Sequence, residues 1–257
     1  MVIRRIREHV ATHNWFAVAV DLAIVVVGVF IGIQASNWNA ARTERGESRE
    51  YRAQIVENLN ANEREIMGGE QYYRQVRAHG LAALRAFEGD APQNQAFLVH
   101  AYQASQYWPV RMEQAAYDEM LAGGMIKNFG DAALRRQLTS YYSSIRQFEL
   151  TANRESAYRD RIRRALTYSV QQRVRDRCGD VIGKTPAGSQ LATLPDACAP
   201  GLTTAQVEHA VARLRDTEDL DRDLTRQLAE LDQKIALFGR ILRRIRQMRR
   251  DLQRLKL

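Results

Sequence analysis

The sequence predicts an all-α protein: a single N-terminal transmembrane helix, then an extended helical bundle with a C-terminal antiparallel helical hairpin. Three observations predict this fold class. Trp15 to Trp38 is an apolar run, apolar residues recur at three- and four-residue steps over most of the remaining chain, and no credible strand pattern is present. The 257 residues leave roughly 215 outside the apolar run, enough for one folded domain.

The apolar run has the length and composition of a membrane-spanning helix. Asp21 is its only ionisable residue before Ile33, and tryptophans mark both ends, where interfacial aromatic residues are common. About twenty residues at ~1.5 Å each cross a hydrocarbon core of ~30 Å. We therefore predict three parts: a cytoplasmic N-terminus at 1–14, a transmembrane helix at 15–38 and a periplasmic helical domain at 39–257.

An uncleaved signal anchor in a bacterial inner membrane is favoured over a cleavable signal peptide. Arg4, Arg5 and Arg7 form a cytoplasmic flank, although arginines also follow the run. Asp21 would interrupt the apolar core of a signal peptide, and the sequence IQA at 33–35 is a mediocre cleavage site. The lipid bilayer is therefore the first expected partner.

One face of the predicted span carries an acid and two glycines. Gly28 and Gly32 form a GxxxG pair, which lets another helix approach closely. At ~100° per residue both lie within about 20° of Asp21. We expect this face to form a helix–helix interface, in a homo-oligomer or with another membrane protein, because an acid in lipid is costly. The alternative is that Asp21 lies near the cytoplasmic headgroups, where it would pair with Arg7.

The segment Ala23–Arg45, AIVVVGVFIGIQASNWNAARTER, resembles the N-termini of uncharacterised bacterial single-span membrane proteins, a domain-of-unknown-function family. In that family an acid precedes a Val/Gly/Ile-rich span that ends in Leu/Ile-Gln-x-Asn-Asn-Trp-Asn-Glu. The matching positions are Asp21, Gly28, Gln34, Asn37, Trp38 and Asn39, whereas Ser36 and Ala40 depart from the pattern. A second similarity lies at 115–142. The resemblance covers the chain up to about Leu150 and implies a membrane-anchored helical protein, with no activity to carry over.

Beyond the span, periodicity and helix-end signals predict four helical regions. They are a stalk helix at 47–88, short helices within 92–129, and the two long helices of the hairpin at 131–177 and 203–255. Asp131 is placed to cap the third region, and Thr203 with Gln206 fits a capping box at the start of the fourth. Leucines and isoleucines from Leu220 to Ile245 recur as in a coiled coil.

Cys178 and Cys198 bracket the loop between the two long helices, which predicts a disulfide at the tip of the hairpin. Two free buried thiols are the alternative. In the register that such a disulfide implies, the arginines of the first helix fall opposite the acidic run of the second. The arginines are Arg159, Arg161, Arg163 and Arg164, and the acids are Asp216, Glu218, Asp219, Asp221 and Asp223.

Enzyme signatures are missing from the sequence, so we expect no catalytic activity, cofactor or metal. The five histidines fall in no metal-ligand spacing, and no phosphate loop or nucleophile elbow is present. Neighbouring acids, such as Glu63 with Glu65, are interpreted as solvated helix residues. The net charge of +8 is concentrated in two helical segments. Nucleic acid and anionic lipid headgroups are both possible partners for such segments, and nucleic acid is the less expected of the two.

Two further clusters are candidate binding surfaces. Aromatic residues around the Pro109 break either line a small-molecule pocket or belong to the core. These are Tyr102, Tyr107, Trp108 and Tyr117. The C-terminal helix carries a basic surface that would contact anionic headgroups or an acidic partner, unless it is a solvated helix end. Its members are Arg243, Arg244, Arg246, Arg249 and Arg250.

Three functions are consistent with these features. The first is a non-enzymatic single-pass membrane protein that presents a helical domain for assembly or partner binding. The second is a ligand-sensing accessory subunit. It would need a partner to transmit a signal, because the fourteen residues before the span are too few to form an output domain. The third is a stator-like subunit in which Asp21 takes part in a proton pathway.

Overall fold

The protein is all-α, as the sequence predicts. A computed structural model describes residues 15–184 and 190–254, so the predicted cytoplasmic segment 1–14 lies outside the described residues. The helices are α1 Trp15–Phe87, α2 Gln95–Gln103, α3 Ala115–Ala122, α4 Ala132–Ala152, α5 Ala157–Ala165, α6 Tyr168–Cys178, α7 Thr204–Arg215 and α8 Leu220–Arg254. A 3-10 turn covers Met125–Asn128, and strands β1 Val181–Lys184 and β2 Gln190–Thr193 form one hairpin.

The chain divides into two units, an N-terminal unit that ends at Arg52 and a helical domain at 53–256. In the helical domain, α1 and α8 run antiparallel through the core. Tyr73 stacks on Phe238 with ring centroids 5.7 Å apart. Gly80 marks the closest approach, because a Cβ there would lie 2.8 Å from Leu228 Cδ2. These contacts bury the apolar stripe that the sequence places on α8.

The irregular segment 104–114 of the helical domain pairs with no strand in the described part of the chain. Side-chain amides instead form hydrogen bonds with its backbone. Asn62 donates to the carbonyl of Glu113 at 2.9 Å and accepts from its amide at 2.6 Å. Asn153 closes the same two-bond ring with Val110, at 2.9 and 2.8 Å. These rings satisfy backbone groups that would otherwise be buried without partners.

The single long helix predicted at 131–177 is wrong, because three helices, α4 to α6, occupy that range. Asp131 caps α4 as predicted, accepting from Leu134 N at 2.8 Å. The first break lies where Asn153 turns to the Val110 peptide and Ser156 begins α5 by accepting from Arg159 N. The partner of Asn153 lies 43 positions away, and helix periodicity carries no information about such a contact.

The predicted helix at 203–255 is also interrupted, between α7 and α8. Thr203 and Gln206 form the predicted capping box. The interruption falls in the acidic run itself, where Asp219 takes a left-handed φ of 53°. Of the four arginines predicted to face this run, Arg161 pairs with Asp223 and the Glu218 carbonyl. The others bond elsewhere: Arg159 to Ser105, Arg163 to Tyr102 and Gln106, and Arg164 to Asp160.

The expectation of no strand is corrected by the β1–β2 hairpin, in which Val181 pairs with Thr193. Its connecting residues, 185–189, lie outside the described residues. Cys178 and Cys198 flank the hairpin and are joined by a disulfide, with their Cα atoms 5.6 Å apart. Gln75 of α1 holds the end of the hairpin through both backbone groups of Leu194, at 3.0 and 3.2 Å. Because the paired runs are only four residues long, their alternation is too short to be recognised.

Candidate functional site

The helical domain contains a cleft of about 450 Å³ between α4, the α4–α5 turn and α8. Its volume lies in the range typical of small-molecule sites. Aromatic residues form part of its wall: Tyr73 of α1 and Phe148 of α4, which both pack on the ring of Phe238. Serine, threonine and glutamine side chains line much of the remaining surface. The cleft therefore combines an apolar surface with hydrogen-bonding groups, as ligand sites do.

Lys234 of α8 lies at this aromatic wall. Its Nζ is 4.4 Å from the centroid of the Tyr73 ring and 3.4 Å from the backbone carbonyl oxygen of Arg154. Burial lowers the pKa of Lys234 to about 8, against the opposing effect of Glu230. The hydroxyl of Tyr73 is held in place because it donates to the Trp108 carbonyl at 2.9 Å. A half-buried ammonium thus faces the cleft from a rigid setting.

The predicted aromatic pocket is not assembled as one site. Of its four members, Tyr107 lines the cleft. Tyr102 is fully buried beneath the guanidinium of Arg163, 4.5 Å from its ring centroid. Trp108 packs on Tyr72, and Tyr117 stacks on Tyr142 with centroids 4.3 Å apart. For Tyr102 and Tyr117 the core alternative is therefore the correct interpretation.

The predicted basic surface on α8 is divided among several contacts. Arg246 and Arg249 both reach Glu63 of α1, Arg246 at 2.6 Å. Arg244 lines the cleft and donates to Ser140 at 2.6 Å and Ser144 at 3.0 Å, while Arg250 bonds to Gln247. Arg243 is exposed. The five arginines therefore do not form one free basic face.

Glu63 corrects the interpretation of the neighbouring acids as solvated. Its side chain is only 13% exposed. Burial raises its pKa, but the hydrogen bonds and charges of Arg246 and Arg249 outweigh that effect and hold the pKa below the usual value. Glu65 is also partly buried, and its pKa is raised, although the backbone amide of Arg111 opposes the shift. Sequence spacing could not place Glu63 against residues more than 180 positions away.

Two histidines meet in a second, smaller cleft of the helical domain. His79 of α1 and His100 of α2 have their Nδ1 atoms 2.8 Å apart. Burial and the neighbouring His100 lower the pKa of His79 to about 4, opposed by Asp196 and the Pro195 carbonyl. Among the described residues, no group of three or more His, Cys, Asp or Glu is placed to hold a metal ion.

The N-terminal unit presents its apolar residues to its surroundings. One helix in the described part of the chain is long and apolar enough to cross a membrane, and none of its most apolar window is buried. Asp21 is exposed. A Cβ at Gly28 or Gly32 would meet no atom within 4 Å. The predicted face is thus sterically open in this unit.

Comparisons with protein-family models, with curated proteins and with solved structures find no match to this chain. The geometry of the cleft is therefore the only support for the candidate site. Sequence reasoning found Tyr107 and Arg244 but missed Lys234, although a signal was present: it lies among the apolar residues of the α8 stripe, between Leu231 and Leu237. A cation in such a position is half-buried when its helix packs.

Proposed function

We propose that this chain is a single-pass bacterial inner-membrane protein that presents a non-enzymatic helical domain for assembly or partner binding. The observation that carries the proposal is the contrast in burial between the two units. Val25, Ile31 and Trp38 are more than half exposed, whereas most of the large apolar residues of α8 in the helical domain are buried. Exposed apolar surface of this extent needs lipid or protein to cover it.

The bilayer is the proposed cover, and the Asp21–Gly28–Gly32 face is the proposed contact with a second copy of the span. Residues that carry small side chains let helices approach closely in lipid, and an acid is less costly there when it faces protein. The resemblance of Ala23–Arg45 to a single-span family of unknown function supports the same proposal. We further propose a cytoplasmic N-terminus and a periplasmic domain, which is supported by the disulfide between Cys178 and Cys198.

Oxidative crosslinking in native membranes tests the proposed span contact. Gly28→Cys places a new thiol on the proposed face, while the two natural cysteines are already bonded to each other. Val26→Cys is the matched control, because it lies about 140° around the helix from Asp21. We expect a disulfide-linked dimer from Gly28→Cys and little from Val26→Cys. Equal yields, or no dimer from either variant, would contradict the contact.

Two simpler measurements test the anchor and its orientation. The intact mass of the membrane-extracted protein should remain that of the whole chain, 29.4 kDa, since a signal peptide would have been removed. A C-terminal alkaline phosphatase fusion should be active, because this enzyme needs an oxidising compartment to form its disulfides. A shortened chain would contradict the anchor, and an inactive but intact fusion would contradict the orientation.

The 450 Å³ cleft supports a second candidate function, a ligand-sensing accessory subunit. Both candidates share the anchor and differ in what the helical domain does. Asp21→Asn separates both candidates from the proton-pathway alternative. Only if Asp21 carries protons is the variant expected to lose the protein's biological activity while its expression and folding stay normal.

A further inference from the structure

The side of α8 that lines the cleft has a simple arrangement of chemistry. Lys234, Leu237, Ile241 and Arg244 all line it, at steps of three, four and three residues. Such steps keep residues on one face of a helix, and ten residues at ~1.5 Å each extend about 15 Å. The stripe therefore has a cation towards each end and apolar side chains between them, and Arg240 lines the cleft beside it.

The carboxylates of the cleft already have cationic partners. Glu230 pairs with Arg226 at 3.0 Å, and Glu155 lies 3.7 Å from Arg159. Lys234, by contrast, has no carboxylate within 4.0 Å among residues 15–184 and 190–254. Its contacts there are one long hydrogen bond to a carbonyl and the face of an aromatic ring.

Arg244, at the other end of the stripe, also has no carboxylate partner among the described residues. Within the described residues its guanidinium bonds only to hydroxyl groups, those of Ser140 and Ser144. A partly desolvated cation is stabilised most by an anion, and an ammonium has three donors to offer. Neither cation of the apolar stripe therefore has a carboxylate as a hydrogen-bond partner among the described residues.

We propose that the cleft is a binding site for an organic acid with an apolar body, whose carboxylate contacts Lys234 Nζ and whose body lies along Leu237 and Ile241. The aromatic wall of Tyr73 and Phe148 completes the apolar surface. The volume of about 450 Å³ is that of a small-molecule site. The proposal gives a ligand class to the sensing candidate and rests on that candidate, not on the span contact.

Protection of Lys234 from chemical labelling tests this proposal on the full chain in lipid nanodiscs. Trace acetic anhydride labels lysines in proportion to their free amine, and mass spectrometry measures each peptide separately. The probes are 4-phenylbutanoate and its neutral analogue 4-phenylbutanamide, which differ in charge at one end. Lys127 is the internal control, because it is exposed and is not among the residues that line the cleft.

We expect 4-phenylbutanoate to reduce labelling of Lys234 about tenfold at a concentration ten times its dissociation constant, which is of millimolar order for a ligand of this size. Labelling of Lys127 should not change, and the amide should protect neither lysine. Equal protection by the amide would overturn the carboxylate assignment. Absence of protection, or equal protection of Lys127, would overturn the site.

Lys234→Met provides an independent arm with Lys127→Met as its matched control. In ligand-observed NMR, saturation transfer to 4-phenylbutanoate should be lost in Lys234→Met and kept in Lys127→Met; transfer retained by both variants would overturn the proposal. If Lys234→Met does not fold, the labelling of the natural chain decides alone. Failure here leaves the Gly28→Cys crosslink unaffected, so loss of the ligand site and loss of the proposed assembly are distinguishable.

Discussion

Two charged regions of the helical domain, both of which include residues of α8, differ in how their buried charge is paired. At Glu63, two arginines converge on one carboxylate that is 13% exposed. At Lys234, a half-buried ammonium faces a cleft with a carbonyl and an aromatic ring as its contacts. In the first region the protein supplies both charges of the pair, whereas in the second Lys234 has no carboxylate within 4.0 Å among the described residues.

The difference separates a charge that stabilises the fold from one that costs stability. A paired, hydrogen-bonded carboxylate repays part of its desolvation, but an unpaired ammonium does not. The pKa of Glu63 is held down by its partners, whereas that of Lys234 is lowered to about 8 by burial. Groups whose pKa is shifted strongly by burial are common at functional sites.

The largest expected effect on the free energy of unfolding comes from acidification, which protonates the His79–His100 pair. The buried pair contributes to stability only while it is neutral. His79 has its pKa lowered from 6.5 to about 4, so the unfolded chain binds a proton first as the pH falls. The stability that the neutral pair contributes is therefore complete above pH 6.5 and lost towards pH 4, by about 3 kcal/mol. Asp196 opposes this loss, and Arg85 near His100 favours it.

Chemical denaturation between pH 7 and pH 4 measures this loss. His79→Gln should flatten the pH dependence, while His209→Gln, an exposed histidine on α7, should leave it unchanged. An equally steep loss in His79→Gln would show that the pair does not cause it. Protonation of Glu63 does not interfere with this measurement, because the lowered pKa of Glu63 confines its effect on stability to the acid end of the pH range.

Glu63→Gln should cause the next largest loss of stability, since it removes the carboxylate that pairs with the two arginines of the first region. Arg246 and Arg249 would remain, 42% and 30% exposed, without their carboxylate. We expect a loss of about 2 kcal/mol, between the values for exposed and buried pairs. For a domain of this size that is a fall in Tm of roughly 4–8 °C.

Glu57→Gln is the matched control on the same helix. Glu57 is 69% exposed and pairs with Arg64 at 3.3 Å, so its removal should lower the Tm by less than about 2 °C. A fall as large as that of Glu63→Gln would mean that burial does not distinguish the two carboxylates.

The fold was predictable where periodicity and caps act locally. Asp131 and Thr203 begin helices as expected, because a cap needs only its own first turn. The breaks at Asn153 and Asp219 were not predictable, because the first depends on the distant Val110 peptide and the second on a left-handed residue. Helix periodicity carries no information about such partners.

The candidate site was predictable only in part for the same reason. Tyr107 and Arg244 were singled out by residue type, and both line the cleft. The position of Lys234 within the apolar stripe was visible in the sequence, but its contacts with Tyr73 and Arg154, both at least 80 positions away, exist only in the packed domain. The charge balance that distinguishes the two regions is a property of the packed domain.

The most direct test of this comparison is the Tm of Lys234→Met beside Glu63→Gln at pH 7. Lys234→Met should leave the Tm unchanged or raise it by up to roughly 3 °C, because it removes an unbalanced half-buried charge. Raising the pH from 8 towards 10.5 should stabilise the natural chain relative to this variant, since the folded state releases its proton first. A fall in Tm as large as that of Glu63→Gln would contradict the account, because Lys234 would then be a structural residue.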